Sequence, residues 1–316
     1  MTESDIDIML DQVDKEFDYL YVRFRRTESE IPDLIFHFTN PQGLIGIAVS
    51  HKIWASNADF LNDSSEPNYA LRVLQASFQE IEHSLRRGSA AERALHGFWD
   101  LAMNEYKVQG PHIYVFCFSE HDDLLSQWRS YGGHGAGYAL GFSGRRLSQF
   151  IRAGDGQYLV KIVYDEERQR KEATSVFGQI VSVIDVAENR FGPIDCRTMG
   201  AEWSRFERRV RTAVLSEIIR LRARFKAPAF CEEGEWRIAQ FVHPRTNKPE
   251  VEFRLGVDVI RPYVELDFGA NKLPIEQITV GPTLNTDLAR QSLDILLARC
   301  GYPNTNVKIS AVPFRR

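Results

Sequence analysis

The chain lacks the features that mark the commoner enzyme classes. Its 316 residues hold four cysteines, Cys117, Cys196, Cys231 and Cys300, and no two of them form a CxxC pair. That scatter argues against a zinc site or a disulfide framework and reads as reduced thiols. There is no Walker A loop, no HExxH and no GxSxG, which argues against P-loop hydrolases, zinc peptidases and α/β-hydrolases. No apolar run is long enough to span a bilayer, and the acidic start MTESDIDIML lacks the order of a secretory signal. The expectation is a cytoplasmic protein with no membrane association. Charge excess is also missing. With 39 basic and 43 acidic groups the net charge is -4, so no global field draws the chain to nucleic acid. Repeats, low-complexity tracts and Pro/Gly/Ser linkers are absent, and 316 residues can bury a substantial core.

What is present is patterned. Ile6, Leu10, Val13, Phe17, Leu20 and Phe24 alternate spacings of four and three, the seam of an amphipathic helix within residues 1–30. Docking on its own domain is the plainer role for that seam. A homodimer contact is the other, since the spacing also fits a short coiled coil. From Leu34 the pattern changes. LIFHF and KIWAS read as short strands around a helix opened by Pro41, and Leu71, Leu74, Phe78, Ile81 and Leu85 mark a helix that stops near Gly88. HIYVFCF is a buried strand, a short helix covers 123–131, and GYALGF and QYLVKIVYD read as neighbouring strands. A helix over 201–226, the strands EWRIAQFV, YVELDF and IEQITVG, a helix over 286–300 and the strand VKISAV complete the chain. Strands in groups with helices inserted predict an α+β fold with a mixed, mostly antiparallel sheet, as a single domain over 31–316.

Three segments place polar or aromatic groups where a fold does not require them. In IFHFT, alternation sets Phe36 and Phe38 on one strand face and Ile35, His37 and Thr39 on the other. His37 there can donate a hydrogen bond to a ligand hydroxyl or act as a base, with Thr39 and Asn40 beside it; a core histidine satisfied by a backbone carbonyl is the alternative. In SEHDDLLSQWRSYG, Ser119 ends a strand, and Gln127, Trp128 and Tyr131 cluster over about one helical turn. Trp128 or Tyr131 suits stacking on a base or nicotinamide ring, and Arg129 suits a phosphate. Packing of both rings into the core is the plainer account. Gly135, Gly137 and Gly141 follow a helix with the wrong spacing for a dinucleotide fingerprint, so they read as a turn. In EEGEWRI, Glu235 and Arg237 share one strand face and Trp236 takes the other. Glu235 can orient a hydroxyl or stabilise a developing cation; otherwise it forms a weak surface pair with Arg237. Asp59, Asn62, Asp63 and Glu66 gather oxygen ligands in one loop, where capping the next helix is simpler than holding a metal, and no metal is expected.

These segments, as IFHFTNPQGLIGIAVSHKIWASNADFLNDSSE, VFCFSEHDDLLSQWRSYGGHGAGYALGF and EEGEWRI, resemble the bacterial family catalogued as domain of unknown function 2971 (DUF2971), over roughly Leu34 to Val312. FHFTN, GLIGI and KIW also resemble the first motif of ADP-ribosyltransferase-like proteins. That second resemblance implies a split sheet with NAD as substrate, His37 at the NAD ribose and Glu235 as the catalytic carboxylate. It implies Ser119 as a strand-end serine and Trp128 or Tyr131 over nicotinamide. Thr39 and Arg129 complete the set expected around the cofactor. Trp236 and Arg237 after the glutamate, and the helical insertions, depart from the transferase pattern.

The expected function is therefore NAD-dependent ADP-ribosyl transfer to a nucleic-acid or protein acceptor, with Glu235 stabilising the oxocarbenium-like centre left as nicotinamide departs. A toxin or phage-defence role fits the resemblance. Two alternatives use overlapping residues: a non-catalytic nucleotide-sensing or protein-interaction module, and a metal-dependent nuclease built on Asp59, Asp63, Glu66 and Glu235. The transferase reading requires His37 and Glu235 on one face, within the span of one nucleotide.

Overall fold

A computed structural model describes residues 7–8, 11, 31–61, 66–109, 112–132, 137–151, 156–191, 201–242, 248–256, 259–269, 272–283 and 285–313. The helix expected within residues 1–30, with its dimer seam, lies outside the described residues except Asp7, Ile8 and Asp11. So do Asn62 and Asp63 of the acidic loop, the side chain of Glu66 and the turn at 133–136.

The described strands are β1 (Leu34–Thr39), β2 (Ile53–Asn57), β3 (His112–Ser119), β4 (Tyr138–Ser143), β5 (Gln157–Lys161), β6 (Glu235–Val242), β7 (Val251–Leu255), β8 (Ile260–Leu266), β9 (Ile275–Val280) and β10 (Asn306–Ile309). The helices are α1 (Pro41–Ser50), α2 (Glu66–Ser84), α3 (Ala90–Gln109), α4 (Leu125–Tyr131), α5 (Gly144–Phe150), α6 (Glu166–Phe191), α7 (Ala201–Arg224) and α8 (Thr286–Cys300). The fold is α+β with a mixed, mostly antiparallel sheet. Among the described strands, β9 and β10 are the one parallel pair. Among the described residues, no helix is long and apolar enough to cross a membrane.

The helical insertions expected inside a single domain form a compact unit of their own. Asp63–Pro111 and Val163–Pro228 belong to it, while Glu28–Asn62, His112–Ile162 and Ala229–Arg316 form a second unit that holds every described strand. The helical unit has a separate core, in which Leu74, Phe78, Leu95, Phe177, Ile184, Val214 and Ile218 from α2, α3, α6 and α7 meet. At its base Val163 and Phe225 form an isolated parallel bridge, with Val163 donating to the Arg224 carbonyl and Lys226 to that of Val163.

In the strand unit the sheet runs β10-β9-β4-β1-β3-β2-β8-β7, with β6 paired to β3 and β5 to β6. GYALGF and QYLVKIVYD are not neighbours, contrary to expectation. β4 has both edges occupied, by β1 and β9, and β5 pairs with β6 instead. One face packs Ile35, Phe116, Phe118, Phe142, Trp236 and Ile278 with Leu44 and Ile47 of α1 and Leu293 and Leu297 of α8. The other face carries a small cluster of Phe36, Phe38, Ala139 and Trp128, and a band of buried polar groups. The helix ends follow local rules. Asn40 caps α1 by accepting from the Gly43 N–H at 2.9 Å, Pro41 opens it, and α8 closes on Gly301 at φ 80°.

Candidate functional site

The centre of the strand unit is β3, and its two edges are used differently. β6 pairs with it along its whole length, from His112 with Val242 to Ser119 with Glu235. On the other edge two strands share it. β2 pairs at Tyr114 and Val115, and β1 pairs at Ser119 alone, opposite Phe36. The Glu120 N–H donates to the Gly234 carbonyl beside β6. Backbone groups alternate along a strand, so the odd residues of β3 turn theirs to the shared edge. Cys117 therefore faces the point where β1 and β2 part.

His37 occupies that point. Its Nδ1 lies 2.8 Å from the Cys117 carbonyl, an oxygen that can only accept, so Nδ1 carries the proton and donates. The ring stacks on Phe116, with centroids 3.9 Å apart and planes at 26°, and meets Phe118 edge-on. Part of its surface stays accessible. Burial pushes its pKa down to about 4; the bond to Cys117 opposes the shift, and the Arg254 charge adds to it. At neutral pH the ring is uncharged, with Nε2 as an acceptor. It can accept from a ligand hydroxyl and is a weak base, in place of the donor expected from sequence.

A pH dependence follows from this shift. The unfolded histidine titrates near 6.5 and the folded one near 4, so between those values the unfolded chain binds more protons. The contribution is fully present above the unfolded value and is lost as pH falls through this window, by about 3 kcal/mol. Urea unfolding at pH 7 and pH 4.5 should show the loss in the wild type and a smaller one in His37→Asn, which keeps a donor near Nδ1. Equal losses in both proteins would remove His37 as the cause.

Glu235 is elsewhere. Ser119 stands opposite both Phe36 and Glu235, so those three share one face of the sheet, and His37 turns to the other. The pocket joining His37 to Glu235 is not assembled. Nor is Glu235–Arg237 the weak surface pair that the sequence suggested. Glu235 is 5% and Arg237 1% exposed, and the guanidinium grips both oxygens, Nε to Oε1 at 2.6 Å and Nη2 to Oε2 at 2.9 Å. The sequence pattern set both side chains on one face correctly but carried no sign that this face is covered.

The middle segment also serves the fold. The Ser119 hydroxyl donates to the Glu233 carbonyl at 2.6 Å and accepts from the His121 N–H. Trp128 is buried against Phe38, 4.6 Å between centroids, and its indole donates to Asp123. It packs in the small core cluster on the polar face with Phe36, Phe38 and Ala139. Arg129 and Tyr131 are exposed on α4. Thr39 packs its hydroxyl against α1, where a Cβ on Gly43 would fall 2.0 Å from it. Of the nuclease set, Asp59 lies in a short 3-10 turn, and no group of three metal-ligating side chains occurs among the described residues.

Residues outside the three segments stand on the open part of the polar face. Ser56 of β2 pairs with Tyr263 of β8, Trp54 pairs with Glu265, and Arg254 of β7 stands opposite Arg261 of β8. Trp54 lies 4.6 Å from Tyr263 between ring centroids, at 31°. The signal in the sequence was one arginine in each of FRL and IRPY, legible only with the register in hand.

No curated protein and no solved structure matches the chain. Residues 127–238, from α4 through the helical insertion to the middle of β6, match the family model described as Protein of unknown function (DUF2971), the family that the motifs resemble.

Proposed function

We propose that the parting of the sheet beside His37 receives a nucleotide, that NAD is the first such ligand to try, and that the chain is a nucleotide-sensing module. The carrying observation is the imidazole itself. A neutral ring is wedged where the β1–β3 ladder stops, with Nδ1 committed to Cys117 and Nε2 available to accept from a ribose hydroxyl. ADP-ribosyl transfer to a nucleic-acid or protein acceptor stands second. The shared edge of β3 favours it, because the transferase resemblance implies a split sheet around NAD. Glu235 weighs against it, because Arg237 holds both of its oxygens and its strand row puts it on the other face. A toxin or phage-defence role would rest on that second reading.

Calorimetric titration of NAD into the full chain, with nicotinamide release followed in parallel, separates the two. The sensing reading expects binding, weakened about tenfold or more in His37→Ala, without release. Release that disappears in a folded Glu235→Gln variant would move the assignment to the transferase. Absence of any NAD binding would remove both.

A further inference from the structure

We infer that Arg254, Arg261 and Ser56 form a phosphoryl-binding subsite, and that Trp54 and Tyr263 beside it form the platform for the base of a free nucleoside diphosphate. This inference goes beyond the nucleotide reading of the parting, because these groups stand on the sheet face opposite the His37 side chain. Arg254 and Arg261 are directly opposed across β7 and β8. Like charges placed so repel, and neither guanidinium meets a carboxylate among the described residues. Arg254 donates instead to the Ser56 hydroxyl at 2.6 Å, and the Nε of Arg261 is buried without a partner. A buried unpaired donor beside a second cation is what a bound anion would satisfy.

The subsite stands beside the parting but on the face of Ser119 and Glu235, opposite the His37 side chain. Ser56 pairs with Val115, two residues along β3 from the Cys117 carbonyl that His37 holds, a spacing of roughly 6.6 Å along a strand. The Arg254 charge acts on His37, and burial together with Arg261 lowers the pKa of Arg254 itself. The platform is on the same strand face. Trp54 and Ser56 alternate along β2, Tyr263 is opposite Ser56, and Trp54 is 42% exposed. Stacking on such rings contributes on the order of 1–3 kcal/mol per base. Glu252, opposite Tyr263, and Glu265, opposite Trp54, flank the rings. Lys52 pairs with Glu265, and the Glu252 carboxylate would repel the next phosphates of a polynucleotide, so the free nucleotide is the assigned ligand.

Calorimetry with ADP and with inorganic pyrophosphate, on the full chain, tests this apart from NAD. Both should bind. Arg254→Gln and Arg261→Gln should each weaken both ligands about tenfold or more, and Trp54→Ala should weaken ADP but spare pyrophosphate. Removing one of two opposed charges should leave the melting temperature equal or higher, so loss of binding would not come from unfolding; Arg254→Lys should bind between wild type and Gln. Failure of the wild type to bind either ligand, or binding unchanged in both arginine variants, would overturn the subsite. ADP and pyrophosphate binding lost in His37→Ala but kept in both arginine variants would overturn the subsite while leaving the proposed function in place. A short oligonucleotide binding more tightly than ADP would overturn the free-nucleotide assignment.

Discussion

Arg237→Ala is expected to lower the unfolding free energy by about 3–5 kcal/mol. The substitution leaves the Glu235 carboxylate buried on β6 without the guanidinium that holds both its oxygens. Two residues apart on one strand, the side chains share a face, so no other arm of β6 can replace the lost one. Losing the bidentate hold removes much of what offsets the desolvation of that carboxylate, and that costs stability. Replacing both members, as in Glu235→Gln with Arg237→Met, should cost less than Arg237→Ala alone, because no charge is stranded. Urea unfolding of the three variants measures the difference. A loss under about 1 kcal/mol for Arg237→Ala would mean the pair is not desolvated in solution. The result also bears on activity assays. Any function lost on changing Glu235 must be read against the folded fraction, because the residue supports the sheet whatever else it does.

Trp128→Ala is expected to cost about 3–5 kcal/mol and to abolish ligand binding only through loss of fold. The indole lies edge-on to Phe38 at 70°, fills the space left by Gly281, where a Cβ would meet its ring at 3.0 Å, and donates to Asp123 at 2.7 Å. Asp123 in turn accepts from Ser310 and from the Ala311 N–H, so one buried ring and one carboxylate tie α4, β1 and the segment after β10 together. Trp128→Phe keeps most of the packing and loses one hydrogen bond, about 1 kcal/mol, since Asp123 keeps its other donors. Thermal melts with NAD titration on both variants provide the check. A Trp128→Phe protein that folds as the wild type and no longer binds NAD would return the ring to the ligand site.

Strand alternation made the central sheet readable. Phe36 and Phe38 do sit apart from Ile35 and His37, and Trp236 apart from Glu235 and Arg237, because one face of β1, β3 and β6 packs an apolar core. β7 escaped notice for the converse reason. VEFRL does alternate apolar and polar residues, but it is a five-residue edge strand that leaves Phe253 and Leu255 exposed, so its burial does not follow that alternation. α6, at 26 residues, was missed because it opens on EERQRKE, and its buried apolar residues gather between Ala173 and Ala187. The tie between His37 and Cys117 spans 80 residues, and the Arg254–Ser56 bond spans 198. No local pattern reports such pairs; they exist only once β1, β2, β7 and β8 have found their register. Polar faces read as surface in a sequence, and this one is partly covered, so the burial of Glu235 and the packing of Trp128 were not legible.

The bridge between Val163 and Phe225 changes how the chain can assemble. β5 and β6 pair from Lys161 with Trp236 onward, although a long helical excursion separates them. With residues 163 and 225 fastened, the excursion becomes a closed loop, and its neck lies two residues along the chain from Lys161 and eleven from Trp236, the first ladder pair. The entropy of closing that loop is met by helices packing on one another rather than by the strands searching for each other. Kinetically the strands then behave like the arms of a hairpin, and the pairing that completes the second edge of β3 need not wait on a search over the full length of the insertion.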